Sequence, residues 1–169
     1  TWASVVPAGG GKILQVQTNR RILDGSDYSA SAISVAQGVA DDKEDATYVD
    51  ITVINASSKI FLTFISCGVV KDTQNQVFLY WRKKIGGSSS FLDNQSDSTY
   101  GHAFQTGSNH GQWVPLHMSA VHTHGENVDT VIRYFIRMQG QAGSGVSYLS
   151  SGTPANKFLF WTTAWEIAP

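Results

Sequence analysis

The chain has 169 residues, long enough to bury a core without disulfides or a structural metal. Charged residues make up 15% and hydrophobic ones 41%, a balance that excludes a disordered or polyelectrolyte chain. A formal net charge of -1 excludes a global electrostatic attraction to nucleic acid or to an anionic membrane.

Residues 1–11 end in Ala8-Gly9-Gly10-Gly11 and read as a flexible lead-in or linker, with one β-sandwich domain expected over residues 12–169. The first residue is Thr, and no secretory leader is visible, so a processed or excised C-terminal piece of a longer protein is expected. Alternation over residues 12–18 predicts a strand, with Leu14 and Val16 opposite Gln15 and Gln17. Residues 19–45 read as a long polar loop holding one short edge strand around Ile33 and Val35. Its acidic run Asp41-Asp42-Lys43-Glu44-Asp45 reads as a solvated turn, the spacing not being that of a calcium loop.

Residues 48–54 alternate with Val49, Ile51 and Val53 inward, and Asn55-Ala56-Ser57-Ser58 reads as a tight turn. The next strand, residues 59–70, is apolar on both faces and holds Cys67. As the single cysteine, Cys67 permits no intrachain disulfide and reads as a buried thiol. Residues 76–84 form another strand, with Tyr80 and Trp81 on opposite faces, and Gly86-Gly87-Ser88-Ser89-Ser90 reads as a mobile loop.

Residues 91–111 are loop-like, polar and dotted with aromatics. Strands are expected at residues 112–121, at residues 130–139 and, briefly, around Val146 and Tyr148. In the second of these, Ile132, Tyr134, Ile136 and Met138 oppose Arg133, Phe135 and Arg137. The terminal strand starts near Lys157. Of its two apolar faces, the one with Trp161 and Trp165 is expected in the core, and the one with Phe158 and Phe160 against a neighbouring subunit. Some seven to nine short strands, no helical periodicity and no repeat predict an all-β, antiparallel, jelly-roll-like β-sandwich. Two-sided strands, and Trp81 opposite Tyr80, point to burial between subunits.

Three segments in order, Gly11-Lys12-Ile13-Leu14-Gln15-Val16, Asn55-Ala56-Ser57-Ser58-Lys59-Ile60-Phe61-Leu62 and Thr163-Ala164-Trp165-Glu166-Ile167-Ala168, carry a resemblance. The chain from residue 11 onward resembles the C-terminal receptor-binding or structural domains of bacteriophage tail-fibre-like proteins, of marine or cyanobacterial phage type. The likeness implies a homotrimeric virion component, joined to upstream fibre or baseplate parts, with no cofactor and no catalytic residues. It also implies attachment to a host surface polysaccharide or outer-membrane receptor.

Glycan recognition needs ring faces flanked by polar partners. The stretch richest in both holds Asp97, Tyr100, His102, Phe104, His110 and Trp113, which are therefore the candidate receptor-binding residues. Rings that plug the end of the sandwich or contact another subunit are the competing reading. His122-Thr123-His124 would put two imidazoles on one side of an extended segment. The resemblance suggests an axial iron enclosed by such pairs from three subunits, against a plainer reading as solvated loop histidines. Asp93, Asp97, Glu126 and Asp129 are the loop carboxylates that a polysaccharide-degrading enzyme would need, but no catalytic motif frames them. A purely structural virion part, such as a head decoration or baseplate piece, is the alternative function. No nucleic-acid partner and no membrane insertion are expected.

Overall fold

The structure, a computed structural model, describes residues 11–23, 34–36, 40–71, 76–92, 102–105, 114–140, 146–148 and 158–169. The candidate residues Asp97, Tyr100, His110 and Trp113, with Asp93, lie outside them, as does the lead-in before Gly11.

Two six-stranded antiparallel sheets face each other. Sheet I runs β1 (Ile13–Leu23), β12 (Phe158–Ile167), β5 (Lys59–Lys71), β11 (Val146–Tyr148) and β2 (Ser34–Ala36), with β9 (Val114–His122) also paired to β5. Sheet II runs β3 (Ala40–Asp42), β10 (Val131–Gly140), β6 (Gln76–Ile85) and β7 (Ser88–Phe91). There β4 (Val49–Thr52) also pairs with β10, and β8 (His102–Gln105) with β6. The chain passes repeatedly from one sheet to the other, giving the antiparallel, jelly-roll-like sandwich that the alternation predicts.

Period-two patterning explains the core. From sheet I come Ile60, Leu62, Phe64, Leu116, Met118, Phe160 and Ala164. From sheet II come Val49, Ile51, Leu79, Trp81, Ile132, Tyr134, Ile136 and Met138. The inward set expected for residues 48–54 is buried, and so are Ile132, Tyr134, Ile136 and Met138 of β10, while Phe135 on the other side of that strand is buried as well. Tyr80 differs from expectation. Its ring is buried within the chain itself, edge-on to Phe91 with centroids 5.8 Å apart, and its hydroxyl donates to Gln139 Oε1 at 2.9 Å. No subunit is needed to cover it.

The acidic run is not a solvated turn. Asp41 and Asp42 end β3, and Glu44–Thr47 make a one-turn helix, α1, lying along β10 between the pairings of β3 and β4. At that interruption the two backbone groups of Ile136 find substitute partners. Its N–H donates to Thr47 Oγ1 (2.9 Å), and its carbonyl accepts from the Lys43 N–H (2.8 Å). Nor is Gly86-Gly87 a mobile loop: with φ of 55° and 91° the two glycines turn β6 directly into β7. Both values lie in the left-handed region that glycine enters without steric cost.

The outward side of sheet II is closed by ion pairs. Arg133 grips Asp50 in a two-pronged contact (Nε–Oδ1 2.7 Å, Nη2–Oδ2 2.8 Å), reaches Glu44 at 3.1 Å and lies 4.2 Å over the Tyr48 ring. Lys84 joins Glu44 at 3.0 Å, and Arg137 joins Asp42 at 3.0 Å. Its hydrogen bonds to Asp50, offset in part by burial and reinforced by Glu44, hold the Arg133 guanidinium firmly protonated. Burial raises the Glu44 carboxyl, but Lys84 and Arg133 outweigh it and the net shift is downward. Arg133→Ala should lower stability by about 1 kcal/mol, near the upper end for a partly exposed pair because the fork is bidentate. Urea denaturation of both proteins at low and at 1 M salt checks this, the difference shrinking at high salt as exposed charges are screened.

Candidate functional site

His102 and Phe104 fall on β8, opposite Leu79 and Val77 of β6 in sheet II. Their backbones are strand, not loop. Trp113 immediately precedes β9 in the sequence.

His122 and His124 are neither solvated nor free to bind a metal: they are 1% and 5% exposed. His122, at the end of β9, points between the sheets with Nδ1 2.7 Å from the Tyr134 hydroxyl and Nε2 2.9 Å from Lys83 Nζ. An ammonium group has only donors, so Nε2 accepts and Nδ1 carries the proton. Burial, then the charge of Lys83, then His124 push its pKa down to about 4, so the ring is neutral at pH 7. With both nitrogens engaged and an ammonium adjacent, the ring offers a cation nothing. Among the described residues no group of three metal-binding side chains is present.

A second buried constellation escaped the sequence reading. Ser58 Oγ lies 3.0 Å from His124 Nε2 and 2.6 Å from Glu166 Oε1, bringing a serine, a histidine and a carboxylate together. The direction of the hydrogen bonds decides what this cluster does. His124 Nδ1 accepts from the Glu126 N–H at 2.9 Å, which leaves the ring proton on Nε2, and that proton is donated to Ser58. Ser58 in turn donates to Glu166. A nucleophilic serine needs the opposite polarity, with imidazole accepting the hydroxyl proton. Ser58 is also only 1% exposed. The cluster is a structural latch.

Glu166 is the centre of that latch. It is fully buried on the inward side of β12 and carries no ion-pair partner among the described residues. Its oxygens accept from the Ile54 N–H (3.0 Å), the Asn55 N–H (2.8 Å), Ser58 Oγ and Gln15 Nε2 (2.6 Å). Burial raises its pKa, but these four donors together bring it below the ordinary carboxylate value. The Asn55–Ser58 turn supplies the backbone donors, held by Ser58 N to Asn55 O at 3.0 Å and Ser57 N to Asn55 Oδ1 at 2.9 Å. A lone acidic residue inside an otherwise apolar strand was the available clue: such a group must find several donors.

This latch fixes which face of β12 is inward, and it reverses the expectation for the terminal strand. Phe160, Thr162, Ala164 and Glu166 are buried between the sheets, whereas Trp161, Trp165 and Ile167 are partly exposed on the outer side of sheet I. The side chain of Phe158 lies outside the described set. Register aligns the outward residues in rows across four strands. One row is Val16, Trp165, Phe61 and Val121; the next is Thr18, Thr163, Thr63 and Ser119; the third is Arg20, Trp161, Ile65 and His117. Trp165 and Phe61 stack with centroids 5.3 Å apart, and Thr18 Oγ1 donates to Thr163 Oγ1 at 3.2 Å. Val16 is 47% exposed, Ile65 41% and Val121 55%, so a largely apolar face, with Arg20 and His117 at its edges, is open to water.

No protein-family model matches the chain, and no curated protein matches it. Among solved structures it is similar to murine APRIL, at 8% identity over 88% of this chain and 98% of that one, with a TM-score of 0.34. It is similar to VP2 in the infectious bursal disease virus subviral particle, at 12% identity and a TM-score of 0.41, covering 93% of this chain and 43% of that one. A third is the CBM22-1 xylan-binding domain from Paenibacillus barcinonensis Xyn10C, at 10% identity, 95% and 97% coverage and a TM-score of 0.34. At such identities the likeness concerns the all-β sandwich fold and nothing beyond it.

Proposed function

We propose that the chain is a non-catalytic, homotrimeric attachment domain of a virion, the tip of a bacteriophage tail fibre, binding a carbohydrate on the host surface. The observation that supports this reading is the engagement of the core's chemistry-bearing groups in structure. Ser58, His122, His124 and Glu166 are sealed beneath the sheets and bonded in the polarity of a latch. The polar-aromatic stretch from Asp97 to Trp113 has a composition that suits stacking on sugar rings. A trimer multiplies weak single-site contacts into avidity, so shallow sites suffice.

Adsorption of the fluorescently labelled protein to a panel of bacterial cells tests the proposal. Binding is expected to saturate, to compete with purified surface polysaccharide, and to fall at least tenfold in Tyr100→Ala and Trp113→Ala. Absence of adsorption to every host tried would replace this reading with a purely structural virion part. Release of reducing sugar from the polysaccharide would replace it with an enzyme.

A further inference from the structure

The two outer faces of the sandwich are built for different surroundings. Sheet II ends in a lattice of carboxylates and guanidinium groups, the normal dress of a surface in water. The middle of the outer face of sheet I has no charge at all. Trp161, Trp165, Phe61 and Ile65 lie there beside Val16 and Val121, with charged or titratable side chains only at its margins in Arg20, Lys59 and His117. We propose that this face of sheet I is where copies of the chain meet, the apolar rows of one packing on those of its neighbour. The inference rests on the homo-oligomeric part of the reading above and names the surface that builds it.

Three observations favour a second copy over a sugar. The large hydrophobic residues most exposed on the face, Val16, Ile65 and Val121, are aliphatic, whereas Trp161 and Trp165, the rings a sugar would stack on, are only partly exposed. Polar groups within the face are threonine and serine hydroxyls. Thr63 and Thr163 are each only 8% exposed, and Thr163 is already bonded to Thr18, so in that row only Thr18 and Ser119 at its edges stay open to sugar hydroxyls. Size is the third. Four strands about 4.8 Å apart and some seven residues long project on the order of 400 Å², a size at which an apolar surface patch is often functional. Because its centre is neutral, the face meets its own copy without burying an unpaired charge.

Sedimentation velocity on the 169-residue protein tests this. The wild type is expected to sediment as an oligomer at micromolar concentration, and Ile65→Glu combined with Val121→Glu to sediment as a monomer. Both positions are more than two-fifths exposed, so the circular dichroism of the double variant should match the wild type and its urea transition should stay cooperative, at a midpoint lowered only by the loss of association. Ser90→Glu, on exposed β7 of the other sheet, should leave the oligomer intact. An oligomer that persists in the double variant overturns the assignment of this face while leaving oligomerisation standing. A wild type that is monomeric at about 100 μM overturns both. A monomer whose tryptophan fluorescence titrates with an oligosaccharide, and loses that response in Trp165→Ala, makes the face a sugar platform instead.

Discussion

Glu166→Ala should be the most damaging single substitution in the described structure, lowering stability by roughly 3–5 kcal/mol. The substitution leaves the Ile54 and Asn55 N–H groups without their carboxylate acceptor, while Ser58 Oγ and Gln15 Nε2 keep only the Asn55 and Thr52 carbonyls. Each orphaned buried donor costs about 1–3 kcal/mol, and relaxation of the Asn55–Ser58 turn recovers part of the sum. Because a domain of this kind has only about 5–15 kcal/mol to lose, the variant should unfold at a much lower urea concentration with an unchanged slope. Glu166→Gln keeps one carbonyl acceptor and should fall between. The linkage follows from the depressed folded-state pKa. This contribution is complete above the unfolded carboxylate range and disappears as pH falls through the lower folded value. A Glu166→Ala protein as stable as the wild type would mean that the latch contributes nothing.

Loss of stability on mild acidification, beginning above the ordinary carboxylate range, is the second large effect. His122 is buried neutral, with a folded pKa near 4 against 6.5 for the free side chain. Between those values the unfolded chain binds a proton that the native state refuses, so stability must fall as pH drops from 6.5 toward 4. The full window corresponds to roughly 3 kcal/mol for a shift of this size. Lys83, His124 and Tyr134 face the ring, and the Lys83 ammonium at 2.9 Å works against imidazolium. Urea midpoints at pH 7, 6, 5 and 4.5 should trace the slope, and His122→Gln should flatten it while lowering stability at pH 7. Equal slopes in the two proteins would show that other groups carry the pH dependence. The windows of the two residues barely overlap, so one pH series separates them.

Alternation made most of the sandwich legible. In β4 and β10 the side packed between the sheets follows from period two, since the other side carries the charges, whereas β5, apolar on both sides, was legible only as a strand. Tyr80 and the acidic run were misread because both depend on neighbours remote in sequence. Phe91 returns through the Gly86-Gly87 turn to cover the tyrosine, and α1 fills a gap on β10 between two short strands. The histidines were misread for the same reason: spacing shows that His122 and His124 are close, but not that Tyr134, Lys83 and Ser58 consume their nitrogens.

The terminal strand divides the two kinds of information most sharply. Its sequence determined by itself that residues 158–167 are extended, that their two sides are both rich in apolar groups, and that they belong to an all-β core. Which side faces that core was decided only by tertiary structure. Hydrophobicity scarcely distinguishes Phe160 from Trp161, whereas a buried carboxylate has very few acceptable positions. Glu166 needs the donors of the Asn55–Ser58 turn and of Gln15, which lie more than a hundred residues away along the chain. Meeting that requirement turns Phe160 inward and leaves Trp161 and Trp165 on the open face of sheet I.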